Sequence, residues 1–257
     1  MKNKLQEKLI AILLVFAMVF LTVPLAKADV IISLEENEET EDVGISVANA
    51  GQTRGTYNIS YWYSDASSIG YWQTVPNVYY CLLSGTTYFN TAMSNGTSKW
   101  RNKLGIPVYS ISTDNDELEF LNTNQIQFYQ GSDEELIELG IFYISDIENH
   151  NNLGLTTYNP LGFYMPAIRV HSLLLTRNNT TTSYNCYAIQ RARGFIRDFG
   201  SNTTKYNSVC AHEIGHALGW WGHSSDRSDV MYSPYQGVTS LTDRDKYHLK
   251  QVYDLLG

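Results

Sequence analysis

The chain has 257 residues, 43% hydrophobic and 13% aromatic, with 18 basic against 26 acidic side chains. An acidic surface of this kind repels nucleic acid and anionic lipid, which excludes polyanion binding as the main activity. The length suits one compact domain with a real core and a tail, or two small subdomains flanking a cleft.

The N-terminus has the layout of an export signal. Lys2, Lys4 and Lys8 precede an apolar run from Leu9 to Leu25, and Ala26-Lys27-Ala28 forms a small-x-small cleavage pattern. Residues 1–28 are therefore expected to be a signal peptide and the protein to be secreted, with no stable membrane association after cleavage. A retained anchor is the weaker alternative, because the run falls short of the ~20 residues of a spanning helix. Removal of residues 1–28 takes away four lysines and one glutamate, leaving 14 basic against 25 acidic residues and a formal charge of −11.

Residues 29–55 are acidic and poor in large apolar side chains, with "EENEETED" at Glu35 to Asp42 as their centre. Such a segment cannot bury enough surface to offset the entropy of ordering. It reads as a flexible tail or a short pro-segment, the tail being the simpler reading. Residues 56–257 then form the globular part.

Within it, "VPNVYYCLL" (Val75 to Leu83) reads as a buried strand. Phe89, Met93, Gly96, Trp100 and Leu104 recur at spacings of three and four, which predicts one face of a helix. Further strands are predicted at Pro107–Ile111, Gln125–Gln130, Gly140–Ser145 and Ile168–Thr176, separated by polar loops. At the C-terminus, Thr242 is an expected N-cap with Asp245 three residues on, and Leu249, Val252, Tyr253 and Leu256 form a helical stripe. Tyrosine abundance is explained by half-buried sheet positions better than by sugar binding. The three cysteines, Cys81, Cys186 and Cys210, fit an exported protein with one disulfide and one thiol, and all three pairings stay open. No CxxC occurs, so a thiolate zinc site is not expected.

The chemistry concentrates in "CAHEIGHALGWWGHSSDRSDVMYSP", Cys210 to Pro234. Ser208 is a candidate cap for a helix running to Gly219, whose missing Cβ permits a left-handed turn. On that helix His212 and His216 are one turn apart, so both imidazoles leave from one face and offer two neutral nitrogens to one metal. Glu213 sits about 100° round from His212, beside the pair, where it reaches a metal-bound water without being a ligand.

A bare HExxH is moderately specific; Gly219, His223 and Met231 at their positions make chance improbable. The segment resembles the active site of the metzincin zinc endopeptidases, and most closely that of the matrixins. The resemblance implies that His212 and His216 bind zinc, that Glu213 is the catalytic glutamate, that Gly219 is the turn glycine and that Met231 lies beneath the metal. "SLTDRDKYHLKQVY" (Ser240 to Tyr253) resembles the helix that closes such domains.

The departure is at the third ligand. The family pattern places it six residues after the second histidine, where this chain has Gly222; His223 lies at seven. The added residue falls in an irregular connection that can absorb it, so His223 is the expected third ligand, with Asp226 as the alternative. By resemblance, "YSPYQ" (Tyr232 to Gln236) walls the pocket for the residue after the scissile bond, and Tyr232 is not assigned to the metal.

His150, His171 and His248 stand in no ligand-like spacing. The acidic stretch "GSDEELIE" (Gly131 to Glu138) is a candidate for Ca2+, but it lacks a ligand pattern, and a solvated acidic turn is the preferred reading.

The elements and the resemblance together imply an α+β fold of the zincin or metzincin type. Its parts are a twisted, mostly parallel sheet with a backing helix, an active-site helix and a small C-terminal subdomain. The implied function is a secreted zinc (Zn2+) endopeptidase acting on protein or peptide substrates. A binding or adhesion module with a non-catalytic zinc, and a zinc amidase with a non-protein substrate, are the alternatives.

Overall fold

The computed structural model describes residues 31–32, 57–58, 64–66, 68–113, 124–157, 167–177 and 180–256, with only the backbone for 31–32, 57–58, 167–186, 252 and 254–256. The signal peptide and nearly all of the acidic segment lie outside the described residues.

The main sheet has six strands. In spatial order they are β1 (Ile31–Ile32), β7 (Gly154–Thr157), β10 (Arg191–Ile196), β6 (Gln125–Gln130), β4 (Asn77–Leu82) and β5 (Ser110–Ser112). Strands β5, β4, β6 and β10 are parallel, whereas β7 runs antiparallel to β10. β1 is antiparallel to β7, with Ile31 opposite Thr157 and Ile32 opposite Thr156. A second sheet, absent from the sequence-based expectation, joins β2 (Tyr57–Asn58), β8 (Ala167–Arg177), β9 (Thr180–Ile189) and β3 (Ser68–Trp72).

Alternation along the strands divides the core in two. Val78, Tyr80, Ile126, Phe128, Ala192 and Ile196 face one side, packed with two helices, α1 (Tyr88–Leu104) and α4 (Thr203–Ala217). Cys81, Tyr129, Leu155 and Phe195 face the other, where Leu136 of α2 (Asp133–Glu138) and Ile147 of α3 (Ile144–Glu148) cover them. The predicted face of α1 is buried throughout, from Phe89 to Leu104. Its Gly96 lets α4 approach closely, since a Cβ there would lie 3.3 Å from the backbone of Ala211. Trp100 donates its indole N–H to the Ala211 carbonyl at 2.7 Å, and Trp72 does the same to Ala217 at 2.8 Å. Both large rings thus enter the core with their polar atoms satisfied.

Three expectations need correction. Gly140–Ser145 is not a strand: Gly140 turns the chain at positive φ and α3 begins at Ile144. Its β-prone composition is overridden because Phe142 and Ile147 serve the cluster beneath β6 and β10. Strands β1, β2, β3, β7, β9 and β10 escape the sequence reading; β7 and β10 are short runs with mixed polarity. The active-site helix starts five residues before the expected cap, with Asn202 accepting the Lys205 N–H at 3.0 Å, and Ser208 is a buried residue inside it. Cys81 and Cys210 are both buried and not joined to each other; pairings that involve Cys186 fall on a side chain outside the described residues. Among the described residues no helix is long and apolar enough to cross a membrane.

Candidate metal centre

The α4 helix ends where expected. Leu218 is its cap, and Gly219 has φ of +116°, with its N–H donated to the His216 carbonyl at 2.8 Å. Beyond it Trp220 and Trp221 are both buried, but in different directions. Trp220 stacks on His248 of α5 (Asp243–Leu256) at 4.0 Å between ring centroids, and Trp221 lies against Tyr187 at 5.5 Å. The chain then turns again at Gly222, φ +72°, where any Cβ would strike Ser64, Asp65 and Ala66. The segment 64–66 pins the loop: Ser64 Oγ donates to the Trp221 carbonyl, and Asp65 accepts the His223 N–H at 2.5 Å. The extra residue is thereby taken up in two left-handed turns, and His223 comes back over the helix.

The ligand-type nitrogens of His212, His216 and His223 all lie within 4.8 Å of one another. His212 Nδ1–H donates to the Val230 carbonyl at 2.7 Å, and His216 Nδ1–H donates to the Trp220 carbonyl at 2.7 Å. A carbonyl only accepts, so each ring carries its proton on Nδ1 and presents a bare Nε2 lone pair. The two Nε2 atoms face each other at 2.9 Å, and His223 Nε2 is buried without a hydrogen-bond partner. Two bare acceptors facing each other, with the unpartnered Nε2 of a third imidazole beside them, fit a cation, and an all-imidazole donor set suits zinc. Burial pushes His212 down to about 3 and His223 down to about 4, and it holds His216 well below the usual range. All three rings are therefore neutral near pH 7, as ligation requires.

Glu213 is 1% exposed and stands beside this cluster, outside it. Burial pushes its carboxyl up to about 8, against a lowering hydrogen bond from Thr156; a divalent cation held by the adjacent histidines would lower it again, toward the ionised form that a base needs. Met231 packs against Gly215, where a Cβ would lie 2.3 Å from its sulfur. Asp226, the alternative ligand, is turned away: it accepts from Ser228 and pairs with Arg244 at 2.9 Å. A small, open pocket beside His212 is lined by Val209, Tyr232, Tyr235, Gln236 and Val238, so three residues of the "YSPYQ" segment border it.

The other histidines stand apart. His150 lies 3.5 Å from Asp133 on an exposed face, and the His171 side chain is outside the described residues. The acidic stretch is occupied by structure: Glu135 closes a capping box with Ser132, and Asp133 pairs with Arg197 at 2.7 Å. Residues missed in the sequence are Thr156, Gly154 and Asp65, which belong to no motif, and Val230, which lies inside the quoted segment but acts through its main-chain carbonyl. Asp245 was read only as a cap. It is that, but its carboxylate also accepts the N–H groups of Val230 and Met231.

Two solved structures of myroilysin are similar to the chain. One has 12% identity over 74% of this chain and 97% of the other, and the second 13% over 77% and 90%, each with a TM-score of 0.33. Comparison with curated proteins returned no match. The family model for matrixin matches residues 97–254, which takes in β6, β7, β10, the whole active-site helix and all three histidines. With more than half of its length in that match and three converging histidines inside it, the chain belongs to the matrixin family of zinc metalloendopeptidases.

Proposed function

We propose that the protein is an exported endopeptidase in which His212, His216 and His223 hold zinc and Glu213 is the general base. The observation that carries this reading is the convergence of three imidazoles, two of them with a bare Nε2, beside a buried carboxyl group outside their cluster. Zinc in a three-histidine site supplies an open coordination position, acidifies bound water and polarises a carbonyl oxygen.

The chain's own residues do the rest. Val230 and Trp220 hold the first two imidazoles in the tautomer that exposes Nε2. Glu213 accepts the proton of the attacking water at its carboxylate and returns it to the nitrogen of the leaving amine. The substrate is a protein or peptide, and the side chain following the cut enters the pocket walled by Val209, Tyr232 and Tyr235.

The test is hydrolysis of an unstructured protein by the purified chain, with and without a zinc chelator. Glu213→Ala is expected to keep its zinc and to lose about 10² to 10⁴ in turnover. A zinc-loaded Glu213→Ala that still cleaves at a substantial rate would sink the assignment.

A further inference from the structure

Strand β7 passes over Glu213 with two residues of one face. Thr156 is fully buried, and its hydroxyl lies 2.7 Å from Glu213 Oε2 and 3.1 Å from the Glu213 main-chain oxygen. The hydroxyl has one proton to give, and the shorter contact to the potentially charged acceptor takes it. Two residues earlier, hence on the same face, Gly154 has no side chain; a Cβ there would fall 2.8 Å from Glu213 Cγ and 3.1 Å from Oε1. The strand therefore leaves a seat for this side chain at one position and grips it at the next.

We propose that Thr156 is a positioning residue for Glu213, its hydroxyl fixing the carboxylate through Oε2. This rests on the reading of Glu213 as general base. A glutamate has three rotatable side-chain bonds, and a bond to one oxygen fixes the plane of the carboxylate, on which proton transfer depends. Thr156 belongs neither to the histidine cluster nor to the pocket lining. Its loss acts on turnover, not on zinc or substrate binding.

Thr156→Val keeps the branched shape and removes the hydroxyl; Thr156→Ser restores the hydroxyl. Both are compared with Glu213→Ala, all loaded with zinc, on a quenched fluorescent peptide that the unaltered enzyme cleaves. Thr156→Val is expected to lower kcat about 10- to 100-fold with KM and zinc per chain unchanged. Thr156→Ser is expected to recover most of it, and Thr156→Val is expected to add nothing in the Glu213→Ala background. In the zinc-free chain, NMR is expected to show a slowly exchanging Thr156 hydroxyl proton that Glu213→Ala abolishes. If Thr156→Val does not fold, Thr156→Ser and the hydroxyl resonance decide. Full kcat in Thr156→Val, no rescue by Thr156→Ser, or a hydroxyl proton indifferent to Glu213 overturns the proposal. An inactive Glu213→Ala beside a fully active Thr156→Val refutes the positioning role alone; an active Glu213→Ala refutes the base assignment beneath it.

Discussion

Asp245 accepts the backbone N–H of Val230 at 3.1 Å, and the carbonyl of the same Val230 accepts the Nδ1–H of His212 at 2.7 Å. The closing helix α5 therefore reaches the metal centre through a single residue of the turn. The Asp245 carboxylate also accepts from Thr242 and Met231, so it organises both its own helix start and the turn beneath the histidines.

Burial is the largest influence on Asp245 and raises its carboxyl from 3.8 to about 6, while the backbone N–H bonds from Thr242, Val230 and Met231 pull the other way. A carboxyl raised in the folded state contributes stability that is full below about pH 4 and is lost as pH rises through about 6. Between pH 5 and 8 the loss is about 1 kcal/mol. Asp245→Asn cannot ionise and is expected to lack that slope. Thermal unfolding of the two zinc-loaded proteins at several pH values checks this; parallel curves would exclude Asp245 as the titrating group.

His223→Ala removes one of three converging nitrogens and is expected to abolish tight zinc binding. Asp226→Ala, which takes away only the Ser228 and Arg244 contacts, is expected to leave zinc near one per chain. Metal analysis of the two purified variants separates them, and the reverse pattern would move the third ligand to the carboxylate.

Gly215→Ala places a methyl group where the Met231 sulfur and the Trp100 ring now lie, the latter 2.7 Å away. Overpacking of this kind costs about 1–3 kcal/mol. The variant is expected to melt several degrees lower and to cleave more slowly, because the turn bearing Val230 must shift. Wild-type melting and activity would show that Met231 can repack at no cost.

Ile31 and Ile32 pair with the edge of β7 opposite Thr157 and Thr156, alongside the strand that carries the Glu213 contact. A chain beginning at Thr56 uncovers this edge for an extended substrate. It is expected to be at least as active as one beginning at Asp29, and its KM is expected to fall. Failure of the shorter chain to fold would instead make residues 29–55 part of the structure.

The helix faces were legible because their signal is local. Phe89 to Leu104 and the pair His212 and His216 are set by rotation per residue, and a helix displays that spacing whatever surrounds it. The same holds for Gly219 and for Thr242 with Asp245, whose roles depend on backbone conformation within a turn or two. Strand β6 was read to the residue, since Gln125–Gln130 is bounded by turns and largely apolar.

Strand β7 left no such trace. Four residues, "GLTT", are too few to show a period, and all four are buried because β10 and β1 flank them and α4 packs on them. Thr156 acquires its meaning only when a strand 57 positions away from Glu213 is laid across that side chain. His223 was the third ligand expected from the sequence, but spacing by itself left Asp226 open beside it. Both lie in a loop, and what separates them is long-range: Ser64 and Asp65 anchor one end of the loop while Arg244 draws Asp226 outward. Residue types and local turns name the candidates for a metal centre; which of them converge depends on contacts between segments that loop closure, not spacing, brings together.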